Sequence, residues 1–233
     1  MIQIIAIIAG LAIVIIGGAA ILANNTSLGN KAPEVPLPAP QPVARTIPAN
    51  AEGYGWGPKD APIKIEEFID YQCPACGAQW AANEDAIIAA LAKSGKVRYD
   101  YKFLTFIQTR KAGSTESEDA ANAAMCAADQ SKFLHLHNIL FGNQFDENVG
   151  QFSLARLKTM GGMIQGLDTA KFNSCVDGGT HKGIVAEMAT EANAKQVQST
   201  PTFVVNGKNE GGGKSLAELK AIIARIDPSL KFE

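Results

Sequence analysis

Cys73 and Cys76 stand three positions apart in the stretch Cys73-Pro74-Ala75-Cys76, and two thiols at that spacing can close and reopen a disulfide. A β-like run precedes them (Ile63, Ile65, Phe68, Ile69) and a helix-like run follows from Gln79 to Leu91, so the pair is expected where a strand passes into a helix. Proline is favoured at the first helical position, and a helix starting at Pro74 puts Cys73 at its N-cap. Unpaired backbone N–H groups and the positive end of the helix dipole there favour a thiolate. Thiols so placed have pKa values lowered from about 8.5 to roughly 3.5–7.5, and the thiolate is the form that attacks disulfides. Cys76 falls one turn later on the same side, so Cys73 is expected to attack and Cys76 to resolve.

Other uses of a CxxC fit less well. Structural zinc wants a second cysteine pair or a suitably spaced histidine pair, and His135-x-His137 with a lone His181 provides neither, so no metal is expected. A disulfide closing so short a loop adds little stabilising entropy and is easily reduced, which suits turnover rather than structure. Thiol exchange needs no cofactor.

The elements that must position these thiols can be read along the chain. With 46% hydrophobic residues and a formal charge of −2 over 233 residues, there is room for a membrane segment and one domain with a sizeable core, and nothing in the charge balance suggests a nucleic-acid partner. Ile2 to Ala23 is apolar apart from Gln3, long enough to cross a hydrocarbon core of about 30 Å. Residues 1–23 are therefore expected to be a transmembrane anchor or a signal, with the uncleaved anchor favoured because a basic n-region and a small-x-small site are lacking. Residues 24–56, with prolines at 33, 36, 38, 40, 42 and 48, are expected to form a semi-rigid linker that holds the domain off the bilayer.

Ile63 to Ile69 alternates as a strand with Ile63, Ile65, Glu67 and Ile69 on one face. A carboxylate on an apolar face has its pKa raised by desolvation, which makes Glu67 a candidate acid–base group for the thiols; an ordinary strand-end carboxylate reaching water is the other reading. A second strand, Val97 to Phe103, completes a strand–helix–strand unit with a right-handed crossover. Residues 107–196 then read as a helical insertion, opened by a capping box at Thr115 and Glu118. Cys126 and Cys175 lie in two of its helices, where a structural disulfide is favoured over two free buried thiols. Strand signals return at Thr202 to Val205, preceded by Thr200-Pro201 and followed by the turn Asn206-Gly207, a further strand, and a helix from Leu216 to Ile226 capped by Ser215.

Several motifs in this order resemble the DsbA-like branch of the thioredoxin superfamily, over about Gly57 to the C-terminus. They are Asp60-Ala61-Pro62 leading into Ile65 to Asp70, Cys73 to Cys76, Cys126-Ala127-Ala128-Asp129-Gln130 with Lys132-Phe133 and His137 to Phe141, and Thr200-Pro201-Thr202-Phe203 with Asn206-Gly207. The resemblance implies an α/β thioredoxin fold whose halves, 57–106 and 197–233, flank the insertion. It implies a cis Pro201 packed on the active-site pair, with Thr200 offering backbone hydrogen bonds to substrate. It places the family's buried acid, six residues before the first cysteine, at Glu67, and an additional insertion disulfide at Cys126 and Cys175. Ala75 departs from the pattern: the best-known oxidases carry His there, which helps to hold the thiolate, so a less depressed Cys73 pKa is expected.

The function so implied is thiol:disulfide exchange on the extracytoplasmic side, introducing disulfides into unfolded or reduced proteins. The partner that re-oxidises the pair would be a quinone-linked membrane protein of the DsbB or vitamin K epoxide reductase type. A reductase or isomerase on the same scaffold stays open, as does a Cu(I)-delivery module using the two thiolates as soft ligands.

Overall fold

The computed structural model describes residues 36–232. The expected anchor or signal at 1–23 and the first part of the linker lie outside the described residues. Among the described residues no helix is long and apolar enough to cross a membrane.

The central strand is β3 (Ile63–Ile69). It runs parallel to β4 (Val97–Phe103), with Ile63 opposite Val97 and Ile69 opposite Phe103. The crossover between them is α1 (Pro74–Leu91). On its other side β3 is antiparallel to β5 (Thr202–Val205), with Glu67 opposite Phe203. A turn at Asn206 and Gly207, both at positive φ, leads to β6 (Lys208–Gly211) on the edge.

The other edge holds a hairpin made from the end of the expected linker, which joins the domain there: β1 (Ala51–Glu52) and β2 (Gly55–Trp56). The six-stranded order is β1-β2-β4-β3-β5-β6. Gly55 is required there, since a β-carbon would stand 1.9 Å from the Tyr99 carbonyl oxygen of β4. Its neighbour Trp56 is fully buried and stacks on Tyr99 at 4.9 Å.

Between β4 and β5 come α2 (Glu116–Ala128), α3 (Phe133–Gly142), α4 (Leu154–Gly162), α5 (Thr169–Gly178) and α6 (Lys182–Ala194), and α7 (Leu216–Ile226) closes the fold. The alanine-rich α2 is the hub of the insertion: small side chains let α3, α4, α5 and α6 pack around it, and nearly all its residues are buried. A Cys126–Cys175 disulfide joins α2 to α5.

The expected capping box at Thr115 does not form. Thr115 Oγ1 instead donates to Asp119 Oδ2 at 2.6 Å, and the Glu118 N–H is taken by Gln108 Oε1 at 2.9 Å. A full box does form at α7, where Ser215 and Glu218 cap each other.

Part of the expected spacer lies along the domain. Asn143 presents a side-chain donor and acceptor that bond Gln41 O at 2.8 Å and Gln41 N at 2.7 Å, much as a neighbouring strand would. Arg45 stacks over Trp80 of α1 at 3.9 Å and donates to its carbonyl at 2.8 Å. These contacts give residues 41–45 partners that a free polyproline segment lacks.

Candidate active site

Cys73 is the N-cap of α1, with φ −75° and ψ 118°, and Pro74 opens the helix. Its carbonyl accepts the N–H groups of Cys76 at 3.0 Å and Gly77 at 3.2 Å, so the first turn is closed while the Ala75 N–H stays free to face the sulfur. Pro74 and Ala75 are exposed, whereas Cys73 is 8% exposed and Cys76 is 1% exposed. Both are free thiols.

Their environments push the two thiols apart. A hydrogen bond from the Cys76 thiol is the largest influence on Cys73; with help from the Thr200 side chain and the N–H groups of Cys76 and Ala75 it outweighs burial and brings the Cys73 pKa down to about 5. Burial above all, then the Cys73 hydrogen bond and charge, pushes Cys76 well above the ordinary thiol range. When protonated, Cys73 Sγ reaches the Thr200 carbonyl at 3.3 Å. The Thr200–Pro201 peptide is cis and Pro201 is buried, which sets the Thr200 carbonyl beside the sulfur at the entrance to β5.

Glu67 is buried on β3, and Tyr99 donates to its Oε2 at 2.6 Å. Burial raises its pKa to about 8, against the Tyr99 hydrogen bond and with help from the charge of Glu84. Its hydrogen-bond partner is thus a tyrosine rather than a sulfur.

The carboxyl that responds to Cys73 is Asp70, which strand alternation puts on the face opposite Glu67. It is 1% exposed, accepts the N–H groups of Gln72 and Ile107 at 2.9 Å each, and its carbonyl accepts the Cys73 N–H at 2.9 Å. Burial is the main cause of a pKa near 6; hydrogen bonds from Ile107, Gln72 and Ser117 oppose the rise and the charge of Cys73 adds to it. Its place three residues before Cys73, where the strand leaves the sheet, was the available signal.

Two further groups were not legible beforehand. Gln144, just after α3, donates to the carbonyls of Tyr71 at 2.7 Å and Cys73 at 3.0 Å, pinning the active-site turn to the insertion. His137 is wholly buried between Tyr71 OH at 3.1 Å and Glu84 Oε2 at 3.2 Å, and Tyr101 donates to Glu84 Oε1 at 2.8 Å.

A parallel β–α–β unit and an antiparallel hairpin, joined through a helical insertion, with a CxxC heading the first helix against a cis-proline, are the architecture of a thioredoxin fold of the DsbA type. The family described as Thioredoxin matches residues 50–225, and the chain belongs to that family. Oxidised BdbD from Bacillus subtilis superposes with a TM-score of 0.65 at 21% identity, covering 80% of this chain and 96% of that one. Oxidised Mtb DsbA superposes with a TM-score of 0.57 at 25% identity, covering 73% and 87%. Among curated relatives, a Rickettsia felis protein named for protein-disulfide oxidoreductase activity is 25% identical over 199 residues, 83% of this chain and 66% of its own length. The Na(+)/H(+) antiporter NhaA 3 of Salinispora tropica is 28% identical over 167 residues, 72% of this chain, and the match spans 24% of the antiporter's length.

Proposed function

We propose that the chain is an extracytoplasmic thiol:disulfide oxidoreductase, working as a disulfide oxidase through Cys73 and Cys76 and tethered by residues 1–23. The observation that carries this reading is the asymmetry of the pair: Cys73 held near a pKa of about 5 while Cys76 is pushed up. In the oxidised enzyme a substrate thiolate attacks Cys73 Sγ, the S–S bond breaks, and Cys76 leaves and takes a proton. A second substrate thiolate then attacks the substrate sulfur of the mixed disulfide and expels Cys73. Two electrons pass from the substrate dithiol to the enzyme pair. A thiol of low pKa is a good leaving group, so the second step favours release of an oxidised substrate.

Unfolded or reduced proteins are the substrates, lying extended against the Thr200–Pro201 edge and bonded through backbone groups, which makes recognition largely indifferent to sequence. Asp70 serves as the buried proton acceptor beside the pair, and Glu67, which holds its proton up to about pH 8, as a proton store farther back on β3. An oxidising compartment is where a dithiol oxidase finds substrates, and a quinone-linked membrane protein would draw off the electrons.

The test is the redox equilibrium of the full chain against glutathione, read by alkylation and mass of the peptide holding Cys73 and Cys76. A potential near about −120 mV supports the oxidase; one near about −270 mV makes the same pair an electron donor and gives the reading to a reductase.

A further inference from the structure

The second cysteine pair has polar company that a structural crosslink does not need. Cys126 lies two residues before the end of α2 and Cys175 three before the end of α5, so the negative ends of two helix dipoles converge on the sulfurs and favour a cation there. A ring nitrogen of His181 and both sulfurs lie within 4.8 Å of one another. His181 Nε2 is 2.8 Å from Asp129 Oδ2, which is itself 3.9 Å from Cys175 Sγ. The adjacent cation, Lys182, is engaged by Asp119 at 2.7 Å and Glu118 at 3.0 Å, away from this cluster. Cys126 is buried, Cys175 and His181 are partly exposed and Asp129 is exposed, so the cluster opens to solvent on one side.

We propose that Cys126, Cys175, His181 and Asp129 form a redox-gated zinc site, closed while the disulfide is intact and a two-sulfur, one-nitrogen, one-oxygen set for Zn²⁺ once it is reduced. The donor types are those zinc prefers, and at ligand distances of about 2.0–2.3 Å tetrahedral donors stand roughly 3.3–3.8 Å apart. In the oxidised chain the His181–Asp129 and Asp129–Cys175 separations of 2.8 and 3.9 Å lie on either side of that range and the sulfurs are bonded to each other, so the set forms only once reduction lets the thiolates part. Gating follows from the sulfur: thiolates bind the metal and a neutral disulfide does not. In the opening step a dithiol reductant delivers two electrons and two protons to Cys126–Cys175 and itself becomes a disulfide. Zn²⁺ then displaces the two thiol protons to solvent. This site is independent of the exchange chemistry proposed for Cys73.

The experiment uses the full chain carrying Cys73→Ser and Cys76→Ser, so that the two insertion cysteines are its only thiols. Oxidised and phosphine-reduced samples are desalted without air, titrated with Zn²⁺ against a chromophoric chelator, and scanned with Co²⁺. One equivalent bound by the reduced chain and none by the oxidised chain is expected, with the visible and thiolate charge-transfer bands of tetrahedral Co²⁺. His181→Ala and Asp129→Asn should each weaken binding by at least about 10-fold, since even outer partners of metal ligands cost 10- to 100-fold. No binding after reduction, or unchanged affinity in both variants, overturns the proposal. Circular dichroism covers the case in which reduction melts the insertion: helix regained on adding zinc supports the site, and helix not regained overturns it.

Discussion

Gly77, in the first turn of α1, lies so close under Gln144 that a β-carbon on it would stand 2.2 Å from Gln144 Oε1. The same Gln144 amide holds the Tyr71 and Cys73 carbonyls, so an unsubstituted Cα in the active-site helix and an anchor from the insertion imply each other. Gly77→Ala should push Gln144 off the turn and lose those two bonds, at about 1 kcal/mol each, offset by about 1 kcal/mol of improved helix propensity. In a Gln144→Ala background the clash is gone, and Gly77→Ala should become neutral or stabilising. Urea unfolding of the four proteins in this cycle reads the change of sign; additive effects would show that the two residues do not interact.

A pH dependence follows from Glu67. With a folded pKa of about 8 against an ordinary 4.5, the folded chain keeps a proton that the unfolded chain has lost between those values. Stability therefore falls as pH rises from about 4.5, and the loss is complete above about 8. Glu67→Gln, which resembles the protonated acid, should match the parent near pH 5 and exceed it by a few kcal/mol at pH 8.5, at roughly 1.4 kcal/mol per pKa unit. Tyr99→Phe removes the hydrogen bond that restrains the rise, so it should extend the loss to higher pH. Unfolding curves for Glu67→Gln and its parent that run parallel between pH 5 and 8.5 would remove Glu67 from this role.

Asp70 should leave its mark on the redox potential. The Cys73 charge helps hold its pKa near 6 in the reduced protein; once Cys73 is tied into a disulfide that charge is gone and the acid strengthens. Reduction near pH 6 thus takes up part of an extra proton. One proton per two electrons gives a slope of about 30 mV per pH unit, and the slope near pH 6 should be steeper than that, with the excess abolished by Asp70→Asn. Burial, Tyr99 and Glu84 govern Glu67, so Glu67→Gln should leave this inflection in place. Glutathione equilibria at intervals from pH 5 to 8 supply the slopes.

The strands and helices around the thiols were legible because each rests on local signals: β3 alternates at its start, Pro74 opens α1, and Asn206-Gly207 makes a tight turn. Alternation fails at the end of β3, where Phe68, Ile69 and Asp70 are buried in succession, so it does not reveal that Asp70 is enclosed. Helices cover both faces there, so neither parity meets water. The β1–β2 hairpin has two-residue strands, too short for any period, and is fixed by Trp56 packing on Tyr99. Pairings such as Glu84 with His137, 53 positions apart, leave no trace in local pattern. Residues 36–48 of the proline-rich stretch form no helix or strand, and their docking depends on Asn143 and Trp80, which belong to other elements.

Ala75 is the position at which the potential should be most easily tuned. It is exposed at the second position of α1, so a larger side chain can be added without disturbing the core, and its N–H already favours the Cys73 thiolate. Ala75→His would add a group that is cationic below its usual pKa of about 6.5 and lies near the same sulfur. Stabilising the thiolate stabilises the reduced enzyme, so the Cys73 midpoint, followed by thiolate absorbance, should fall below about 5 and the glutathione equilibrium should shift several-fold toward the reduced enzyme. Ala75→Gln can donate a hydrogen bond without carrying charge, so it separates the two contributions. If both variants shift the midpoint equally, hydrogen bonding sets the thiolate's stability; if only the histidine does, and only in its cationic range, charge sets it. A midpoint unmoved by either would mean that the helix N-terminus and the Cys76 thiol already hold the thiolate, leaving nothing for position 75 to add.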